Sequence, residues 1–196
     1  MKEMGKLSDY LNSLYQIGGT VSVTDNEGTS VECDKAIDQT IQLMHSVRAA
    51  SKKIMFIGNG GSAAIASHMA IDYSKNGRLP AISFNDGPAL TCLGNDLGFE
   101  NVFAEQIKLH GKKGDLLIAI SSSGQSSNIL KAVSEAHRSE CHVVTMSGFS
   151  LNNPLRNEGT LNWYVTSDEY GFVELLHLTL CHAILDIEMG WTPTIS

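Results

Sequence analysis

The chain of 196 residues is 42% apolar, which is enough to bury one sizeable core and suits a single domain. Its net charge of −7 argues against nucleic acid and anionic membrane as partners, since both repel an acidic face. No run reaches the roughly 18 apolar residues of a membrane helix, and Met1-Lys2-Glu3-Met4-Gly5-Lys6 lacks the apolar centre of a signal peptide, so a cytoplasmic location is expected.

Leu7, Tyr10, Leu11, Leu14 and Ile17 recur at three- and four-residue intervals and predict a helix over residues 7–17 with one apolar face, ended by Gly18-Gly19. Residues 20–33 alternate weakly, with Val21 and Val23 ahead of an Asp25-Asn26-Glu27-Gly28 turn, and read equally as a small hairpin or a loop. Ala36, Ile37, Ile41, Met44 and Val47 predict a second helix over 33–50. Two amphipathic helices ahead of the remainder leave apolar faces that a second subunit would cover. Residues 1–50 are therefore expected to be a helical extension serving oligomerisation, with the main domain over 51–190.

The apolar run at 54–57 stops at Gly58, as a buried parallel strand does on entering a tight turn, and a breaker-free helix follows through Asp72. Further strands are predicted at 80–84, 116–120, 142–146 and 161–165, with helices at 99–109, 128–137 and 153–157. A last helix over 170–189 turns Leu175, Leu178, Leu185 and Met189 inward and stops at Gly190. The expected fold is α/β: a three-layer, flavodoxin-like sandwich with a five-stranded parallel sheet between helices, preceded by the two N-terminal helices. Ligands of such folds sit at the carboxyl ends of strands. Cys33, Cys92, Cys141 and Cys181 form no C-x-x-C pair, so reduced, mostly buried thiols are expected rather than a disulfide framework or thiolate zinc site.

Two of the strand-to-helix turns carry chemistry. Gly58-Asn59-Gly60-Gly61-Ser62 leaves backbone N–H groups free at the positive end of a helix, an arrangement that holds phosphate. Neither G-x-x-x-x-G-K-[ST] nor G-x-G-x-x-G is matched, which favours a phosphomonoester over a nucleotide. Ser121-Ser122-Ser123-Gly124-Gln125-Ser126-Ser127-Asn128 offers hydroxyls and N–H groups as a neutral phosphate cradle, or an ordinary serine-rich helix start. His68 and Asp72, four apart on one helix, share a face on which they can grip one ion or simply pair at the surface.

Taken together with Cys92-Leu93-Gly94-Asn95-Asp96-Leu97-Gly98-Phe99, Gly114-Asp115-Leu116-Leu117 and Glu174-x-x-His177-x4-His182, these segments make residues 37–188 resemble the sugar isomerase (SIS) domain proteins and, among them, the phosphoheptose isomerases. The resemblance implies a five-stranded parallel sheet, a homotetramer, bound zinc and an enzyme of lipopolysaccharide precursor synthesis. The implied reaction interconverts sedoheptulose 7-phosphate and D-glycero-D-manno-heptose 7-phosphate by proton transfer through an enediolate. It assigns substrate binding to Asn59, Gly60, Gly61, Ser62, Asp72, Asn95, Asp96, Ser121, Ser122, Ser123, Ser126 and Glu174. It assigns metal binding to His68, Asp72, Glu174 and His182, with Asp72 as base and His182 as acid or base.

The chain departs from the family at two of these positions: Asp72 stands for a glutamate and Glu174 for a glutamine. The shorter Asp72 withdraws its carboxylate by roughly 1.5 Å, and a displacement of ~1 Å can cost about 100-fold in rate. A His/Asp/His/Glu shell would place two carboxylates on one ion and weaken it as a Lewis acid. Glu174 and His182 are also about 12 Å apart along a helix axis, far for a shared ion. His177, one turn from Glu174, is a further ligand candidate or a core or interface histidine, while His45, His110, His137 and His142 have no partner in spacing and are assigned no role. The two substitutions motivate the alternative: a non-catalytic SIS protein that binds a sugar phosphate or a partner protein. An isomerase of another sugar phosphate is the other departure from the implied reaction.

Overall fold

The computed structural model describes residues 5–193; residues 1–4, most of the stretch read against a signal peptide, lie outside the described residues. An amino-terminal helix α1 (Lys6–Gly18) precedes a hairpin of β1 (Ser22–Asp25) and β2 (Ser30–Val31), then α2 (Cys33–Ala49). The body follows as β3 (Ile54–Gly58), α3 (Gly61–Lys75), β4 (Ala81–Ser83), α4 (Gly87–Leu97), α5 (Val102–His110), β5 (Leu116–Ser121), α6 (Ser127–Arg138), β6 (His142–Ser147), β7 (Leu161–Tyr164) and α7 (Tyr170–Glu188). Single 3-10 turns occupy Phe99–Asn101 and Pro154–Asn157.

The strands form one sheet in the order β2-β1-β7-β6-β5-β3-β4. The five strands from β7 to β4 are parallel, as expected, and the segment that read equally as hairpin or loop extends them by two antiparallel strands. Asn162 ties this extension down: its buried amide donates to the carbonyls of Thr24 and Asp25 at 3.3 and 3.2 Å and accepts from the Thr145 hydroxyl at 2.7 Å.

Alternation along the strands divides the core into the expected two faces. Ile54, Phe56, Leu116, Ile118, Ile120 and Val144 point toward α2, α3 and α7, whose Met44, Val47, Met69, Tyr73, Cys181 and Ile184 are buried with them. Met55, Ile57, Leu117, Ala119 and Val143 point the other way, onto Phe103 and Ile107 of α5 and Ile129 and Val133 of α6. Of residues 1–50, α1 buries no side chain, whereas α2 contributes Ala36, Thr40, Met44 and Val47 to the core.

Two expectations about helices need correction. The inward stripe of α7 is Phe172, Val173, Leu176, His177, Cys181, Ile184 and Leu185, while Leu175 and Met189 are 42% and 47% exposed. The helix is apolar over most of its circumference, so its own periodicity does not distinguish the buried side. Helix α4, which no expected element covered, buries no residue and starts under a local cap, with the Asp86 carboxylate accepting from Ala89 N–H at 3.0 Å and Pro88 in its first turn. Among the described residues, α7 alone is long and apolar enough to cross a membrane, and its apolar stripe belongs to the core. All four cysteines are free; Cys141 and Cys181 are buried, Cys33 is half-buried and Cys92 is exposed. Burial pushes the Cys181 thiol up to about 12, which leaves it unreactive.

Candidate active site

In chain order the parallel strands run 2-1-3-4-5 from the opposite edge, so the connections from β3 and β5 leave on opposite faces of the sheet. Between two such strands a crevice opens at their carboxyl ends. The Gly58-to-Ser62 and Ser121-to-Ser126 turns line it. Gly60 takes φ +54, a left-handed conformation that a side chain would resist, to swing the chain from strand into α3. Helices α2 and α4 start under side-chain caps, but α3 and α6 have none, and their first N–H groups remain for a ligand. The serine turn is fixed by its own bonds: Gly124 N–H donates to Ser121 Oγ and Gln125 N–H to Ser123 Oγ, both at 3.2 Å.

These turns enclose a cavity of about 250 Å³ with Asn59, Gly60, Gly61, Ser62, Ser121, Ser122, Ser123 and Ser126 in its wall. Tyr170 and Glu174 of α7 complete it. Among the described residues no lysine, arginine or histidine lines the cavity, and Glu174 is its one charged group. Tyr170, packed edge-on against Phe149 at 4.8 Å, was not singled out in the sequence; it opens α7 and carries no motif of its own.

A second cluster lies further along α3 and α7. The ligating atoms of His68, Asp72 and His182 all fall within 4.8 Å of one another. His68 Nε2 and His182 Nδ1 both face the same carboxylate oxygen, Asp72 Oδ2, at 3.6 and 4.0 Å. Ligands about 2.1 Å from a tetrahedral ion stand ~3.4 Å apart, so only small side-chain movements separate this trio from a two-histidine, one-carboxylate site with an open position. The residues therefore fit a metal.

The remaining assignments divide. Glu174 is not a member of the trio; its carboxylate rests where a side chain on Gly61 would project, at the start of α3. Asn95 and Asp96 lie on the exposed α4, bonded to each other at 2.8 Å, and do not line the cavity. His177 is a core histidine, fully buried, with Nε2 donating to the Ser147 carbonyl at 3.1 Å. Burial lowers it to about 4, partly offset by that bond. Of the histidines without a role, His45 pairs with Glu188 at 3.1 Å and His137 bonds the Glu158 carbonyl at 2.8 Å.

Comparison with known proteins agrees with this architecture. The SIS domain family model matches residues 26–148. A phosphoheptose isomerase of Nitratiruptor sp. is 50% identical over 103 residues, covering 50% of this chain and 55% of that protein, so the match spans little more than half of that relative. One from Campylobacter concisus is 36% identical over 156 residues, covering 76% of this chain and 82% of that protein. The structure of a phosphoheptose isomerase from Francisella tularensis superposes with a TM-score of 0.79 at 29% identity, covering 97% of this chain and all of that one. A fold with its crevice between β3 and β5, and a family match that takes in both turns, lead to one conclusion: the chain belongs to the SIS domain family.

Proposed function

We propose that the chain is a sugar-phosphate isomerase of the phosphoheptose isomerase type, interconverting sedoheptulose 7-phosphate and its aldoheptose isomer. The observation that carries this reading is the pairing of an anion cavity with a His/Asp/His trio along the same two helices, α3 and α7. From Gly61 to His68 is about 10 Å along a helix axis. An extended chain advances about 1.2 Å per bond, so the 7-phosphate of a seven-carbon sugar lies roughly 8–10 Å from its first two carbons. A phosphate among the glycine and serine turns thus brings the reacting carbons to the trio.

The turns would bind the phosphate through backbone N–H groups and serine hydroxyls, and Tyr170 would cover it. His68, Asp72 and His182 would hold a zinc ion, whose chemistry is to polarise the substrate carbonyl. Both histidines address Oδ2 of Asp72, which leaves Oδ1 to take the proton from one carbon and return it to the next. His182 would move the proton between the two sugar oxygens. Glu174 lies outside the trio and adds no second carboxylate there. With this reading go the family's homotetramer, assembled through the exposed apolar side of α1, a cytoplasmic location and a place in lipopolysaccharide precursor synthesis. A coupled assay is expected to show turnover of sedoheptulose 7-phosphate; no turnover of any ketose phosphate, with or without added zinc, would leave a binding protein instead.

A further inference from the structure

The two anion-binding turns are joined by a pair of amides. Asn59 Nδ2 donates to Asn128 Oδ1 at 2.9 Å, and Asn128 Nδ2 donates back to Asn59 Oδ1 at 2.8 Å. Asn59 sits in the β3–α3 turn and Asn128 in the first turn of α6, so the pair spans the crevice between β3 and β5. Asn128 is 2% exposed, and away from water a reciprocal amide pair is strongly preferred to two unpaired ones. Neither helix start has a side-chain cap to fix it otherwise.

The pair commits one N–H and one oxygen lone pair of the Asn59 carboxamide to protein and so fixes its orientation. We infer that Asn128 is a positioning residue for the anion site: it holds the β3–α3 turn at the separation from the serine turn that one phosphate needs, and Asn59 acts through this brace rather than as a side-chain ligand. The inference rests on the sugar-phosphate reading above. It assigns a role to Asn128 and changes the one given to Asn59.

The test is a double-mutant cycle of Asn59→Ala and Asn128→Ala in the full chain, with Asn128→Ser as a milder variant should alanine impair folding. The readouts are Kd for inorganic phosphate, KM and kcat for sedoheptulose 7-phosphate, and the thermal midpoint. Each single substitution is expected to raise Kd and KM about tenfold, with kcat changed by no more than about twofold and the double variant no worse than either single. A merely structural role would lower the midpoint without this split between KM and kcat. Additive losses would make Asn59 a direct side-chain ligand and overturn the brace, as would an unchanged Kd in Asn128→Ala. Phosphate binding without turnover in the wild type would sink the isomerase alone; no phosphate binding at all would sink both.

Discussion

Glu174 stands where the resemblance to phosphoheptose isomerases implies a glutamine, and unlike Asp72 it lines the cavity. Among the described residues it is the one charged group of the cavity, set beside serine hydroxyls and the Asn59-to-Gly61 turn. A carboxylate near a bound phosphate repels it by an amount on the order of 1 kcal/mol when water screens the pair. Glu174→Gln is accordingly expected to tighten inorganic phosphate binding about three- to tenfold, read by titration calorimetry; unchanged or weaker binding would show that the carboxylate does not face the anion. His177 makes a different prediction. Held at about 4 in the folded chain by burial, against 6.5 ordinarily, it is neutral in both states above pH 6.5, where its contribution is complete. As pH falls from 6.5 to 4 the unfolded chain takes up a proton that the folded one refuses, removing on the order of 3 kcal/mol. Urea melts across that range should show this loss in the wild type and a shallower one in His177→Leu. The spacing of His68 and Asp72 was readable because four residues make one helical face. The separation of Glu174 from His182 was foreshadowed by the same geometry, whereas the Asn59–Asn128 pair joins turns about 70 positions apart and follows no local pattern.

At the scale of elements, the β3–α3 junction is tightly packed. A side-chain carbon on Gly58 would stand 2.6 Å from the Ser62 carbonyl group, which belongs to the helix backbone and has nowhere to go. Gly58→Ala should therefore cost about 1–3 kcal/mol, seen as a lower midpoint in thermal or urea melts. Helix α1 makes the opposite kind of prediction, since Leu7, Leu11 and Tyr15 are 71%, 54% and 77% exposed. Leu11→Glu is expected to reduce the assembly size by light scattering while the circular dichroism stays that of the wild type. Strands β3, β5 and β6 were legible because they are apolar on both faces. The β1–β2 segment stayed open between hairpin and loop, because β2 has only two residues and β1 is set as a strand by pairing with β7, a partner some 140 residues away. Helix α4 escaped because Gly87, Pro88 and Gly94 within its eleven residues read as turn residues.

For the whole molecule, the α/β class and the parallel sheet follow from five apolar runs, but the order of those strands does not. That order creates the crevice, and with it the meeting of two turns that were each ambiguous as sequence. It also aligns α3 and α7 so that the glycine- and serine-lined cavity and the His68–Asp72–His182 trio lie along the same two helices. The most direct test of that coupling is metal analysis of the purified chain together with its turnover of sedoheptulose 7-phosphate, wild type beside Asp72→Ala. Bound metal and turnover in the wild type are predicted, with metal lost and the rate down by about 100- to 10,000-fold in the variant. Turnover that persists undiminished in Asp72→Ala would contradict the account.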